Sequence, residues 1–467
     1  MDNSSAGNGE KDVSYEDLQA RYELEKIDRV AKLDKDLTGA FVTTADDYKK
    51  IKKSLKKLLK DTVSEESIEQ YISEKLGIGK LTPFLANEDL EEIMVIGSSS
   101  PVYVFDRNKG MVKTEVYISE FEAQEVIKRI AKYSSRVVNS ENPLLDGRLP
   151  DGSRVNATLS GVTPRGATIT IRKFKTQSIT LVELIRYGTL TPSLVAFLWL
   201  TIEGMGGIKP ANTIIIGGTA SGKTTTLNAL SVFVPRRERI VTIEDTLEVR
   251  LMHAHWIPME TKVPVHESGN EVTMDELLKN ALRMRPDRII VGEVRSKEAL
   301  TLFTAMNTGH DGTMATIHAN SGREALSRLQ SHPMNVPDMM IPALDLMVVQ
   351  NRQIKNGKLA RRVMEVLEVA GKEGDVFTTN TLFKYDPKTE KITEGIINGR
   401  IIHELSLLTG NSIREINDEI DLRKTIIDAM VEADLPLDGI YSIVQTYYED
   451  KQKALEVLQT LASQARE

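Results

Sequence analysis

The sequence predicts an α/β protein: a mostly parallel sheet flanked by helices, preceded by a smaller α/β domain and a helical N-terminal extension. Three observations carry this. From Ile179 onward, short apolar runs alternate with helical stretches: Asn212–Ile216, Arg239–Ile243, Arg288–Val291 and Thr313–Ile317 are strand candidates rich in Val, Ile and Thr. Strands that alternate with helices and are apolar on both sides belong to a parallel sheet covered on both faces. Over residues 76–174 the runs are shorter and punctuated by turn residues, and before residue 75 the chain is charged with helical periodicity.

The length of 467 residues suggests two or three domains. With 40% hydrophobic and 27% charged residues the chain reads as ordinary globular protein, not a disordered one. Sixty Lys and Arg against 67 Asp and Glu leave a net charge of -7, which weighs against a nucleic-acid partner. There is no cysteine, which excludes disulfides and thiolate metal sites and fits a reducing cytosol. Met1–Glu10 is polar and acidic and lacks the apolar stretch of a secretory signal. The longest apolar stretch, Leu194–Ile202, falls far short of the roughly 20 residues a spanning helix needs, so a buried core helix is expected. A membrane role would then work through a partner or a surface.

Five segments follow. Residues 1–75 form a charged helical extension. In it, Asp47–Lys60 places Ile51, Leu55, Leu58 and Leu59 at helical spacing among lysines. A solvated helix with one packed face is the preferred reading, and a basic membrane- or partner-binding helix is the other. Residues 76–174 form a small α/β domain. Its strands are expected at Glu92–Ile96, Val102–Phe105, Val112–Val116, Arg154–Leu159 and Thr168–Arg172, with a helix at Glu120–Lys132. Residues 175–182 are the linker, 183–370 the nucleotide-binding core, and 371–467 a strand-turn patch (Val376–Ile397) followed by helices rich in Leu and Ile.

The chemistry starts at Gly217-Gly218-Thr219-Ala220-Ser221-Gly222-Lys223-Thr224, followed by Thr225, a full match to the phosphate-binding P-loop pattern. Glycines let the loop curl so that successive backbone N–H groups point at phosphate oxygens. The helix starting near Lys223 adds the positive end of its dipole. Lys223 is placed to reach the β- and γ-phosphates of ATP, and the Thr224 hydroxyl to ligate Mg²⁺. A strand before the loop and a helix after it complete the context, so the core is expected to be a RecA-like P-loop NTPase domain.

Two further strands end in acids: Ile240–Asp245, carrying Glu244, and Arg288–Arg295, carrying Gly292-Glu293. Ligands of open α/β sheets bind where strands end. Glu293 is the first choice for orienting or deprotonating the attacking water and Glu244 the competing one. With Gly292 where an Asp is usual, both acids are expected outside the metal's immediate ligands. Gly309–Asn320 holds His310 and His318, two of only seven histidines. Their expected role is γ-phosphate sensing or relay to a neighbouring subunit. Metal binding is not expected of them, because no further ligand stands at suitable spacing.

In this order the four elements resemble the Walker A, Asp box, Gly-Glu Walker B and His box of the secretion ATPase superfamily, which drives type II and type IV secretion, type IV pili and the archaeal flagellum. Pro83–Val104 and Asn142–Lys173 are similar to its N-terminal domain, so the likeness spans roughly residues 80–370. Within the superfamily, Leu302–His310, His332–Pro337 and Ile341–Leu346, with no cysteine for a zinc insertion, most resemble the archaellum motor ATPase. The resemblance implies an ATPase that works as a homo-hexamer, cytoplasmic and peripheral at the membrane. It would dock on a polytopic platform protein beside other archaellum motor components, with anionic lipid as a candidate contact of Lys49–Lys60. The alternative output is that of a pilus or secretion ATPase. Arg148, Arg154 and Arg172, with Arg165 nearby, fall where the superfamily carries N-terminal-domain arginines over the nucleotide. Gly152–Asn156 resembles that region, and an arginine supplied there would stabilise the charge that develops in phosphoryl transfer.

Overall fold

A computed structural model describes residues 15–464, apart from 36, 39, 61, 108, 135, 175–178, 263–269, 356–357, 375 and 396–397. Half of the expected linker, residues 175–178, therefore lies outside the described residues. The chain divides into two compact units, Met1–Thr176 and Gln177–Glu467.

The first unit holds two cores. Helices Tyr15–Ala31, Ala45–Leu59 and Glu65–Tyr71 enclose Ile27, Leu55, Leu59, Ile68 and Ile72. The lysine-rich helix begins in a capping box, Thr44 with Asp47, that satisfies two otherwise unpaired backbone donors. It buries Leu55 and Leu59, turns Lys49, Lys50, Lys53 and Lys57 to solvent, and pairs Lys52 with Glu65 and Lys56 with Glu65. This is the packed-and-solvated arrangement.

The second core belongs to a six-stranded sheet of β1 (Leu90–Ile96), β2 (Pro101–Asp106), β3 (Gly110–Tyr117), β4 (Leu144–Arg148), β5 (Arg154–Thr158) and β6 (Thr168–Arg172). The order is β3-β2-β1-β6-β5-β4, antiparallel throughout. Alternate residues Ile93, Val95, Val155, Ala157, Ile169 and Ile171 are buried in one core with Ala123, Ile127 and Ile130 of helix Glu120–Tyr133. The opposite face carries Asp146, Asn156 and Thr170, the polar half of the period-two pattern. The five expected strands and the helix are present. Strand β4 was not foreseen, because Leu144–Arg148 contains Asp146 and Gly147, both poor strand formers.

The second unit is built on a nine-stranded sheet: β7 (Thr213–Gly217), β8 (Ile240–Glu244), β9 (Trp256–Glu260), β10 (Arg288–Val294), β11 (Met314–Ile317), β12 (Leu346–Lys355), β13 (Lys358–Glu373), β14 (Val376–Asp386) and β15 (Lys391–Glu394). From β9 through β8, β10, β11 and β7 to β12 the strands run parallel, and β13, β14 and β15 extend the sheet antiparallel. The parallel strands are apolar on both sides. Ile214, Ile216, Val241, Ile243, Ile289 and Val291 pack on one side with helices Met274–Ala281, Glu298–Asn307 and Gly322–Gln330. Ile215, Ile240, Ile290 and Met314 share the other core with Leu194–Ile202, every residue of which is buried. No helix among the described residues is long and apolar enough to cross a membrane.

One expected boundary is corrected. The division at residues 370 and 371 falls inside β13, and β14 and β15 continue the same sheet. The C-terminal helices contribute Ile401, Ile420, Ile427, Val444 and Leu458 to the core that holds Ile215 and Leu227. The misreading came from composition: polar hairpin residues at the sheet's antiparallel edge look like a change of domain.

Candidate functional site

The carboxyl ends of β7, β8, β10 and β11 lie at one edge of the sheet, since these strands are parallel and in register. The glycine-rich loop leaves β7 at Gly217 and enters helix Lys223–Leu230, with Gly222 left-handed at φ 95° and Ala220 at φ 57°. Gly222 is the residue type that tolerates this geometry without strain. Thr219 and Ala220 are exposed at the crest; Thr224 and Thr225 are half-buried on the first helical turn. Ser221 Oγ donates to Gly218 O at 2.9 Å and closes the loop on itself. Lys223 Nζ donates to Gly217 O at 3.0 Å and Gly218 O at 3.2 Å, which holds the ammonium over the loop. Burial lowers its pKa, and the Glu293 carboxylate works in the opposite direction.

Glu244 ends β8 and is 2% exposed. Its Oε1 accepts the backbone N–H groups of Glu248 (2.9 Å) and Val249 (3.0 Å), while Oε2 is buried without a hydrogen-bond partner. Burial pushes this carboxyl up to about 7, against the backbone donors that favour the charged form. Glu293 sits one residue beyond Gly292 on β10 and accepts from Arg295 Nη2 at 2.5 Å; Arg295 also pairs with Asp245 at 3.5 Å. Gly292 O accepts from Thr316 Oγ1 of β11 at 2.6 Å.

The sheet separates the two histidines. His318 follows the carboxyl end of β11, on the phosphate-loop edge, and Asn320 Oδ1 lies beside Gly218. His310 precedes the amino end of β11, where Thr313 N donates to Asn212 Oδ1, so it stands at the opposite edge. The expectation of γ-phosphate sensing by His310 is therefore corrected: with parallel strands, residues before and after a strand lie a strand's length apart.

Arg148, Arg154 and Arg172 are brought together. They are cross-strand neighbours on β4, β5 and β6, continued by Glu92 on β1. Arg148 and Arg154 are half-buried and Arg172 is exposed. Spacing alone did not show that these three form one row.

Two residues near the loop were not singled out from the sequence. Gln350 of β12 donates from Nε2 to Ser221 O at 2.8 Å and accepts from Thr226 Oγ1 at 2.7 Å. Arg361 of β13 donates from Nε to Ala220 O at 3.1 Å. The one available signal for Gln350 was a glutamine closing the apolar run Leu346–Val349.

Among the described residues no group of three or more His, Asp and Glu side chains is arranged to hold a metal. The Thr224 hydroxyl stands on the first turn of the helix after the loop, in a site with two glutamates, one bearing an unpartnered buried oxygen. That set fits Mg²⁺, which keeps several waters and takes phosphate oxygens as ligands.

A family model described as "Type II/IV secretion system protein" matches residues 74–432. An uncharacterized protein of Methanocaldococcus jannaschii is 52% identical over 51% of this chain; the match covers 33% of that protein's length. A second uncharacterized protein of the same organism is 36% identical over 82% of this chain and 69% of its own length. A probable conjugal transfer protein, TrbB, of Sinorhizobium fredii is 35% identical over 54% of this chain and 75% of its own length.

Proposed function

The chain belongs to the type II/IV secretion system protein family, and on that footing we propose that it hydrolyses ATP to drive a membrane-associated assembly or transfer machine. The observation that carries this reading is the convergence at one sheet edge of a curled phosphate loop, the Lys223 ammonium and the two strand-end carboxyls Glu244 and Glu293.

The residues divide the work. The loop's backbone N–H groups and the positive end of helix Lys223–Leu230 bind and orient the phosphates. Lys223 leaves the loop carbonyls it now touches for the β- and γ-phosphates, a compensated exchange because both partners are oxygens. Thr224 would hold Mg²⁺ together with phosphate oxygens, and the ion, when bound, neutralises charge on the transferred phosphoryl group. Glu293 orients the attacking water and accepts its proton once Arg295 turns aside. Glu244 fixes the backbone at Glu248 and Val249 through one oxygen and keeps the other for the water shell. His318 and Asn320 flank the same edge and read the phosphate end.

The finer reading of the output is archaellum assembly and rotation by a hexameric ring on a platform protein, supported by the resemblance of Leu302–His310, His332–Pro337 and Ile341–Leu346 to that motor. The similarity to a probable conjugal transfer protein supports the alternative, a pilus, secretion or transfer output. Co-purification from native membranes separates them by the proteins recovered: archaellum components for the first, pilin-like or transfer components for the second. The ATPase reading itself is tested by Lys223→Ala. Turnover is expected to fall to background in a protein with an unchanged circular dichroism spectrum, and wild-type turnover by that variant refutes the assignment.

A further inference from the structure

A phosphate loop that turns its N–H groups inward must turn its carbonyls outward, and those carbonyls need partners wherever water is excluded. In this chain two of them are met by the strand pair on which the sheet changes from parallel to antiparallel. Ser221 O accepts from Gln350 Nε2 on β12, and Ala220 O accepts from Arg361 Nε on β13. Gln350 is 1% exposed, and its other side-chain atom, Oε1, accepts from Thr226 Oγ1 one turn into the helix that follows the loop. One buried amide thus ties the loop to its helix.

We infer that Gln350 and Arg361 are positioning residues for nucleotide binding, a backing plate that holds the phosphate loop in its curled form. This rests on the ATPase reading and adds to it residues outside the four motifs.

Two glycines of the loop supply independent support. A Cβ on Gly217 would collide with the backbone oxygen of Gln350 as well as with Ser221 Oγ. A Cβ on Gly222 would stand 3.0 Å from Gln350 Nε2 and 3.1 Å from Arg361 Cδ, at a φ of 95° that already favours glycine. At these positions the absence of a side chain gives β12 and β13 their close approach to the loop. The plate is also tied to its surroundings: Arg361 O accepts from Thr189 Oγ1 at 3.0 Å, and β12 pairs directly with β7, Gln350 opposite Gly217.

The mechanism gives a distinct signature. Gln350→Met keeps the volume and removes both hydrogen bonds, leaving Ser221 O and Thr226 Oγ1 without their partner. The loop then loses its fixed curl, and binding that depends on phosphate contacts weakens. Binding of ADP and of inorganic tripolyphosphate, each with Mg²⁺, is measured on the full chain by calorimetry, beside steady-state turnover and thermal unfolding without nucleotide. Losing one such buried bond is expected to raise both dissociation constants about tenfold or more. KM for ATP should rise by a similar factor, with kcat at saturating ATP changed less. Arg361→Ala, at a half-buried side chain, is expected to act in the same direction more weakly and serves as the second variant if Gln350→Met does not fold.

Wild-type ADP and tripolyphosphate affinities in folded Gln350→Met, or in Arg361→Ala should the first not fold, overturn the inference while leaving the ATPase reading intact. A lowered unfolding temperature with unchanged KM overturns it too, since that is what simple loss of packing would give. Failure of the wild-type chain to bind either ligand overturns the ATPase reading and this inference with it.

Discussion

Glu244 offers a test that needs no nucleotide. Its carboxyl is displaced from an ordinary 4.5 to about 7, chiefly by burial. The Glu248 and Glu260 carboxylates push in the same direction, and the N–H groups of Glu248 and Val249 oppose them. Between those two values the folded chain holds a proton that the unfolded chain has released. The folded state therefore binds more protons, and stability falls as pH rises through this window. Glu244's contribution is fully present below about pH 4.5 and is lost as pH passes about 7. The displacement corresponds to about 3 kcal/mol. Glu244→Gln cannot ionise and still accepts both backbone N–H groups, so it should lose nothing across the window. Its stability relative to wild type is expected to grow by about 3 kcal/mol between pH 5 and pH 8, which at this size raises Tm on the order of 3–5 °C. Calorimetric unfolding of both proteins without nucleotide from pH 5 to 8.5 reads the difference directly. Parallel Tm-against-pH curves would refute the reasoning, because a carboxyl whose substitution leaves the pH dependence unchanged is not buried as described.

The same substitution separates the two acids in catalysis. Glu293→Gln should bind ATP with near wild-type affinity and lower kcat by 100-fold or more, on the order of what a general base supplies, while Glu244→Gln lowers it less; the reverse order in single-turnover assays would exchange the roles. Arg148→Ala, Arg154→Ala and Arg172→Ala are each expected to lower turnover at least tenfold, with ADP affinity falling less, as loss of a transition-state cation does. Mixing Arg154→Ala chains with Glu293→Gln chains should restore part of the activity if the arginines serve a neighbouring chain. Full activity in all three alanine variants would reduce the row to surface charge.

The phosphate loop and both strand-end acids were legible because each depends on a local pattern: glycines at fixed offsets, an apolar strand, then an acid. Four of the six parallel strands were legible for the same reason. Strand β9 was not, since Trp256–Glu260 has Pro258 in its middle, a residue tolerated there because β9 is the sheet's edge. β12 and β13 escaped because the polar stretch Arg352–Lys358 breaks off the apolar run that opens β12, so the sequence there lacks the continuous apolar pattern of a buried strand. Gln350 and Arg361 went with them, since a residue that works across 129 or 141 positions of sequence leaves no periodicity to find. His310 was misplaced for a related reason. Sequence proximity to His318 hides the four-residue strand between them, and a strand carries its two ends to opposite edges.

Gly292, the departure from the usual strand-end acid, has a packing explanation. Strands β8 and β10 are paired with Ile243 opposite Val291, which sets Glu244 beside residue 292. A Cβ at that position would lie 2.8 Å from Glu244 Cγ and 3.1 Å from its Oε1. The backbone there is not in the left-handed region, so the demand for glycine is one of space. An aspartate at 292 and a glutamate at 244 would contend for one volume and bring two carboxylates together in a buried place, which raises at least one of their pKa values sharply. The chain keeps one buried acid at this point and supplies it from the neighbouring strand, one position across the sheet. Thr316 Oγ1 on Gly292 O then holds β10 from its other side, so that Glu293 leaves the strand from a fixed backbone. The glycine and the two glutamates thus form one unit: Gly292 makes room for Glu244 and fixes the point from which Glu293 departs.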